Sequence, residues 1–334
     1  MLRAKNASME KKIILDKSFL QAESKTTPRL HALKNAGYKF IIIDTLYYEF
    51  ATDIRKGQWG SFHSKLKPFC GNIEIWEHIS DLVQSEITTQ MPVSTLFCPM
   101  LTRGFENKLN GEPYEDGIIE QTNESIKKQR EVDSYEGLIK LCNQIMEEVP
   151  NLKLIAGLPT DEEKEKSLNL HFNESWLTKF FVSATHGDRD ATDLYIKAAE
   201  CGLDDNWFIY HHQKVTLAMV RLFIKKYGMI NTCGENFKAT LIDSNYALCL
   251  NYADALATNE TVGDLSYICN QLYGNKKFLI SINDIDKLLP KEADIRLAAY
   301  YEWKSNETKN HSEISNWYAA RAKLEKNTIS QHFC

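Results

Sequence analysis

Residues Lys12 to Phe19 read KIILDKSF, and the interpretation of this stretch decides the fold. Ile13, Ile14 and Leu15 form a short apolar run with β-branched side chains, the pattern of a strand covered on both faces. Asp16 closes the run, and Ser18 follows two residues after it. Open α/β sheets bind ligands outside the carboxyl ends of their strands, which is where Asp16 falls. Ser18 is a hydroxyl able to hold that carboxylate or to cap the next helix. An ordinary strand and cap explain the stretch equally well unless other carboxylates converge on Asp16.

Two further stretches repeat the theme. FIIIDTLYYEF (Phe40 to Phe50) is a second buried-strand run in which Asp44 and Thr45 are placed to cap a helix and Glu49 lies about one turn into it. LIDSNYALCLNYADALATNETVGDL (Leu241 to Leu265) reads as a helix opened by Asp243-Ser244, then a short strand at Ala255 to Ala257. That strand ends in Thr258-Asn259-Glu260, and Asp264 starts the next helix. KKFLISIND (Lys276 to Asp284) is the last strand. The β–α–β alternation at both ends of the chain implies a parallel sheet with right-handed crossovers. The long middle, with helical periods such as IEIWEHISDLVQSEI and SYEGLIKLCNQIMEEV, is then an insertion into the sheet domain.

The expected division is residues 11–72 for the first part of the core, 73–235 for the insertion and 236–289 for the second part of the core. A helical hairpin at 290–327 follows, in which Ile295, Ala299 and Trp303 face Ile314, Trp317, Ala320 and Leu324. It is too small to stand alone and is expected to dock on the main body. The segment RKGQWGSFHSKLKPF, from Arg55, interleaves Lys65 and Lys67 with Trp59 and Phe62. It reads either as a phosphate track with stacking platforms or as a solvated loop anchored by a tryptophan. His211-His212 cannot easily share one ion, because adjacent helical residues point about 100° apart. The pair is read as serving packing or hydrogen bonding.

The 334 residues carry a formal charge of −5 and 43% hydrophobic residues, enough for a sizeable core and without the global basic field of a nucleic-acid coat protein. The eight cysteines show no CxxC and no zinc spacing, so buried reduced thiols are expected. With no leader-like stretch and no apolar run of membrane length, a soluble cytoplasmic protein is expected.

Asp16, Glu49, Asp243 and Glu260 thus fall at strand ends or the helices beyond them, with Asp264 close behind. Hard divalent cations take such oxygen ligands, and one or two ions can activate water and stabilise a leaving oxygen in phosphodiester hydrolysis. Carboxylates gathered without a cation would repel one another.

On ILDKSFL, FIIIDTLYYEF and DSNYALCLNYADALATNE, over roughly residues 11–56 and 236–285, the chain resembles PIN-like nuclease domains. The resemblance implies a three-layer α/β/α fold and a metal-dependent nuclease acting on RNA or single-stranded nucleic acid. It implies Mg²⁺ or Mn²⁺ held by Asp16, Glu49 and Asp243, with Glu260 or Asp264 as the fourth acid. Ser18, Thr258 and Asn259 would support the ligands, and Arg55, Lys65 and Lys67 would touch the nucleic-acid backbone. Asp254 competes with Asp243 as third acid. The insertion of about 160 residues departs from small family members.

The tail resembles a small uncharacterised helical family with the pattern AYxxW, a polar loop, then WxxAxxxL, carried here by Ala299-Tyr300, Trp303, Trp317, Ala320 and Leu324. Homodimerisation and a protein partner on the insertion are further expectations. The rival reading is an inert PIN-like scaffold that binds protein or nucleic-acid partners. A haloacid-dehalogenase-type phosphatase also starts from a strand-end Asp, but it requires a second Asp where Ser18 stands.

Overall fold

The KIILD run is the central strand of a five-stranded, all-parallel sheet in order β3-β2-β1-β4-β5. The structure is a computed structural model, and it describes residues 11–55, 57–112, 134–171, 206–227, 235–274, 279–305 and 313–332, together with Leu194. The strands are β1 (Lys11–Leu15), β2 (Tyr38–Ile42), β3 (Ile73–Ile75), β4 (Ala255–Ala257) and β5 (Leu279–Ile280). β1 pairs with β2 on one side, Ile14 opposite Ile41, and with β4 on the other, Leu15 opposite Ala257. Flanked and covered in this way, Ile13, Ile14 and Leu15 are wholly buried. Each such side chain contributes about 1.5–3 kcal/mol of hydrophobic stabilisation.

Helices α1 (Lys17–Ala22) and α2 (Pro28–Asn35) link β1 to β2, and α3 (Asp44–Arg55) and α4 (Gly60–Leu66) link β2 to β3. Gly37 supplies the left-handed turn (φ +91°) that ends the α2 region. The chain then passes through α5 (Ile79–Thr89), α6 (Pro99–Asn110), α7 (Ser134–Glu148), a 3₁₀ stretch at Pro150–Gly157, α8 (Asp161–His171) and α9 (Phe208–Tyr227). α10 (Glu235–Cys249) brings it back to β4, and α11 (Asp264–Tyr273) links β4 to β5. α12 (Ile282–Leu288) follows, started by a capping box between Ser281 and Asp284, and then α13 (Glu292–Ser305) and α14 (Glu313–His332). The helical content and all-parallel sheet are those of an α/β protein, compatible with three α/β/α layers.

The chain walks outward from β1 through β2 to β3, then returns to the other side of β1 for β4 and β5. Right-handed crossovers therefore set α1–α4 and α11 on opposite faces. The junction between β1 and β4 is the switch point of a doubly wound sheet, where a crevice opens at the carboxyl ends.

Two sequence-based boundaries and one segment reading shift. β3 begins at Ile73, so the third strand lies inside the range expected to be insertion. α14 runs to His332, beyond 327. The 55–72 segment is mainly helix, with Trp59, Phe62 and Phe69 buried. Trp59 and Phe62 pack on Phe50, ring centroids 5.1 and 5.4 Å away, so they belong to the core and offer no stacking platform.

Two buried acids lock the outlying parts. Glu86 on α5, 0% exposed, accepts hydrogen bonds from the first amides of α9, Phe208 N and Ile209 N, both at 2.8 Å, and from Val93 N at 3.0 Å. Glu325 on α14 accepts from Asn35 Nδ2 of α2 at 2.6 Å and from Arg321 Nε at 2.7 Å, which docks the hairpin on the body as expected. Among the described residues, five cysteines are free and no helix is long and apolar enough to cross a membrane. Residues 172–193, including the polar stretch THGDRD (Thr185 to Asp190), lie outside the described residues. His211 is buried and His212 half-buried, and Asn251 Nδ2 lies 2.7 Å from His211 Nε2, in keeping with a packing or hydrogen-bonding role.

Candidate functional site

Asp16 ends β1 and Thr258 follows β4, so the two residues straddle the switch point. The main chain stitches these ends together: Asp16 N donates to Ala257 O at 3.0 Å, and Thr258 N donates to Ile280 O at 3.0 Å. Side chains complete the mesh. Asp16 Oδ2 accepts from Thr258 Oγ1 at 2.8 Å and from Ser18 Oγ. Ser18 Oγ accepts from Asn259 N at 3.1 Å, and Thr258 Oγ1 accepts from Glu260 N at 3.0 Å. Asn259 also reaches back with its amide to Ser18 O at 3.4 Å. Ser18, Thr258 and Asn259 together fix the Asp16 carboxylate and the loop that carries Glu260.

Asp243 arrives from α10. It does not open that helix, as the Asp-Ser pattern led one to expect, but sits two turns inside it. Ser244 is not a cap either; its hydroxyl donates back to Leu241 O at 2.7 Å, a common resting place for a mid-helix serine. Asn245 Nδ2 donates to Thr45 Oγ1 at 3.1 Å, which ties α10 to the start of α3 and hence to the helix of Glu49.

The electrostatics record the convergence. Burial pushes the Asp243 carboxyl up to about 7, helped by the nearby charges of Glu260, Asp16, Asp264 and Glu49. Glu260 is raised for the same reasons, burial first and then Asp16. Tyr246, one turn after Asp243 on the same helix face, is fully buried with its hydroxyl held well up, by burial and then by Asp16, Glu49 and Asp243. That hydroxyl has no hydrogen-bond partner among the described residues, a donor aimed among acids with nothing accepting it.

Lys17 also sits at the site. Its Nζ lies 3.1 Å from Asp53 Oδ2 and 4.0 Å from Glu49 Oε1. Asp53 Oδ2 receives no aligned hydrogen bond, so the Lys17–Asp53 contact is electrostatic. Sequence reading overlooked Lys17, Asp53 and Tyr246. The signals were present in the cation adjacent to Asp16 and in the i,i+3 spacing of Asp243 and Tyr246.

The remaining candidates divide. Asp264 is bound by Lys226 Nζ and by Thr240 Oγ1 at 2.8 Å, which ties α11 to α9 and α10. Asp254 accepts from Lys12 N at 2.7 Å, at the opposite end of β1, roughly 13 Å from Asp16 at the usual rise per strand residue. That end of the sheet faces away from the crevice. Lys65 is 5% exposed and donates to Leu20 O at 2.7 Å and Gln21 O at 3.2 Å. Spent on the last carbonyls of α1, it is not a backbone contact for nucleic acid, and burial lowers its pKa. Lys67 is exposed, and the Arg55 side chain lies outside the described set.

The donor chemistry is that of a hard divalent cation: carboxylates, with no thiol or imidazole among them. Among the described residues, however, no three His, Cys, Asp or Glu side chains stand close enough to ligate one ion as they are placed. Asp16, Glu49, Asp243 and Glu260 are within electrostatic range without closing to ligand distance. No protein-family model, curated protein or solved structure matches the chain.

Proposed function

We propose that the chain is a metal-dependent nuclease of the PIN-like kind, hydrolysing phosphodiester bonds of RNA or other single-stranded nucleic acid. The observation that carries this reading is the gathering of Asp16, Glu49, Asp243 and Glu260 at the switch point between β1 and β4. In that position they hold more negative charge than neighbouring Lys17 offsets.

Asp16, Glu49, Asp243 and Glu260 would hold Mg²⁺ or Mn²⁺. When bound, the cation would supply neutralisation of phosphate charge and activation of water for attack at phosphorus. Ser18 and Thr258 hold the Asp16 carboxylate in one orientation. Asp243 must lose its proton to become a ligand, so cation binding and its deprotonation are coupled. Asp264, already held by Lys226 and Thr240, is assigned to structure, which leaves Glu260 as the fourth acid. Lys67 remains the backbone contact to test.

The experiment is cleavage of labelled single-stranded RNA and DNA with Mg²⁺ or Mn²⁺, wild type against Asp16→Asn. Cutting that requires the ion and vanishes in the variant is the expected result, and the polymer that is cut identifies the substrate. One observation favours a second reading, an inert scaffold: no set of three acids closes to ligand distance among the described residues. No cutting on either polymer, with no heat of Mn²⁺ binding, selects the scaffold.

A further inference from the structure

The two helices of the C-terminal hairpin enclose a cleft of about 550 Å³, lined by Arg296, Ala299, Tyr300, Trp303, Asn316 and Trp317. That volume suits a small-molecule-sized ligand. The rings lining it are not what docks the hairpin. Docking is carried by Ile329, which joins the main hydrophobic core, and by buried Glu325, bonded to Asn35 of the body. Tyr300 and Trp303 are instead 50% and 48% exposed, neighbours on α13 with ring centroids 6.1 Å apart. Trp317 stands on the facing helix, its ring 5.6 Å from the Arg321 guanidinium. Leaving large aromatic surfaces half in water gives up hydrophobic stabilisation that burial would supply.

The chemistry of the lining selects the occupant. A groove for aliphatic peptide side chains would be lined by Leu, Ile or Met, yet Ala299 is the sole aliphatic residue among the six. Three aromatic faces offer stacking, the Asn316 amide offers a polar edge, and Arg296 supplies a cation at the wall. Arg296 pairs with Glu292 at 3.1 Å, both side chains well exposed. Such surface pairs are worth little and are readily exchanged for a phosphate. Flat aromatic platforms interleaved with guanidinium groups are how single strands are held without sequence readout.

We infer that this cleft binds an unpaired nucleobase of a single-stranded nucleic acid, stacked against Trp303, Tyr300 and Trp317 with its phosphate toward Arg296. The ligand class rests on the nuclease reading, but the cleft lies apart from the acids and acts by tethering the strand.

The test is anisotropy of a labelled single-stranded 12-mer, RNA and DNA, titrated with the full-length Asp16→Asn chain in EDTA, where nothing is cut. Trp303→Ala is expected to weaken binding five-fold or more, and Trp303→Phe, which keeps a ring, to restore most of it. Trp303 is half in solvent, so the fold should be preserved, which wild-type melting of the variant will show. Equal binding by Trp303→Ala and Tyr300→Ala, or no oligonucleotide binding at all, overturns the inference. So does Trp303-dependent capture of a protein in place of the oligonucleotide. Metal-dependent cutting by wild type, with binding indifferent to Trp303, sinks the cleft and spares the nuclease. Trp303-dependent binding without any cutting does the reverse.

Discussion

The Thr258 hydroxyl donates to Asp16 Oδ2 across 2.8 Å, joining the end of β4 to the end of β1 over a sequence separation of 242 residues. The Thr258 hydroxyl oxygen in turn accepts from Glu260 N at 3.0 Å, so Thr258 sets both a carboxylate and the loop beside it. Thr258→Val keeps the shape and removes both bonds. Groups of this kind around a metal typically control its affinity ten- to a hundredfold. Calorimetric Mn²⁺ affinity is expected to fall about that much in Thr258→Val and to survive in Thr258→Ser. An unchanged affinity in the valine variant would show that Thr258 does not orient Asp16.

Asp243 makes stability depend on pH. Its carboxyl is raised from 3.8 to about 7, so the folded chain binds the proton more tightly than the unfolded chain. The stabilisation is therefore complete below about pH 4 and is lost as pH rises through about 7. That shift corresponds to at most roughly 4 kcal/mol. In EDTA at pH 8, Asp243→Asn is expected to melt several degrees above wild type, with the gap closing toward pH 4. Mn²⁺ should raise the wild-type melting temperature more than that of the variant. Parallel melting curves for the two proteins from pH 4 to 8 would contradict the burial of this acid among others.

Lys17 acts as a built-in counter-ion. Its ammonium reaches Asp53 at 3.1 Å and Glu49 at 4.0 Å, so it offsets part of the charge that a divalent cation would otherwise neutralise. Lys17→Met should lower the melting temperature at pH 8 in EDTA, because it leaves half-buried carboxylates uncompensated. The same change should raise Mn²⁺ affinity several-fold. Weaker binding in Lys17→Met would instead make Lys17 a support that orients Glu49.

Sequence alone revealed four of the five strands and the acids at their ends, because a fully buried parallel strand writes its burial as an unbroken apolar run; β3, with Glu74 between its two isoleucines, carries no such run and reads as helix. Ile13–Leu15 and Phe40–Ile43 are such runs, and Asp16 and Glu260 follow strand ends in both sequence and structure. The depth of Asp243 inside α10 was not legible, since Asp-Ser reads as a cap wherever it occurs and only tertiary packing decides otherwise. Lys65 misled for a related reason. Composition marks it as a surface cation, while the carbonyls of Leu20 and Gln21 that draw its ammonium inward belong to a helix 45 residues away. The order of the strands, which turns Asp16 and Glu260 into neighbours, is a property of topology that no local pattern carries.

Glu86 had no distinguishing mark in its helix, yet it holds the insertion together. Its wholly buried carboxylate accepts from three main-chain amides, Phe208 N, Ile209 N and Val93 N. Two of these are the first amides of α9, so the negative charge also meets the positive end of that helix. Glu86→Ala strands two buried donors, Phe208 N and Ile209 N, and at about 1–3 kcal/mol for each unsatisfied group the loss is expected to be at least ~2 kcal/mol. Glu86→Gln keeps an acceptor and should lose less. Because α9 packs against α10 and α11, which carry Asp243 and Asp264, the alanine variant should also weaken Mn²⁺ binding without any change at the carboxylates themselves. Chemical denaturation of the two variants tests the cap, and a Glu86→Ala chain as stable as wild type would mean that α9 is held by its apolar faces alone.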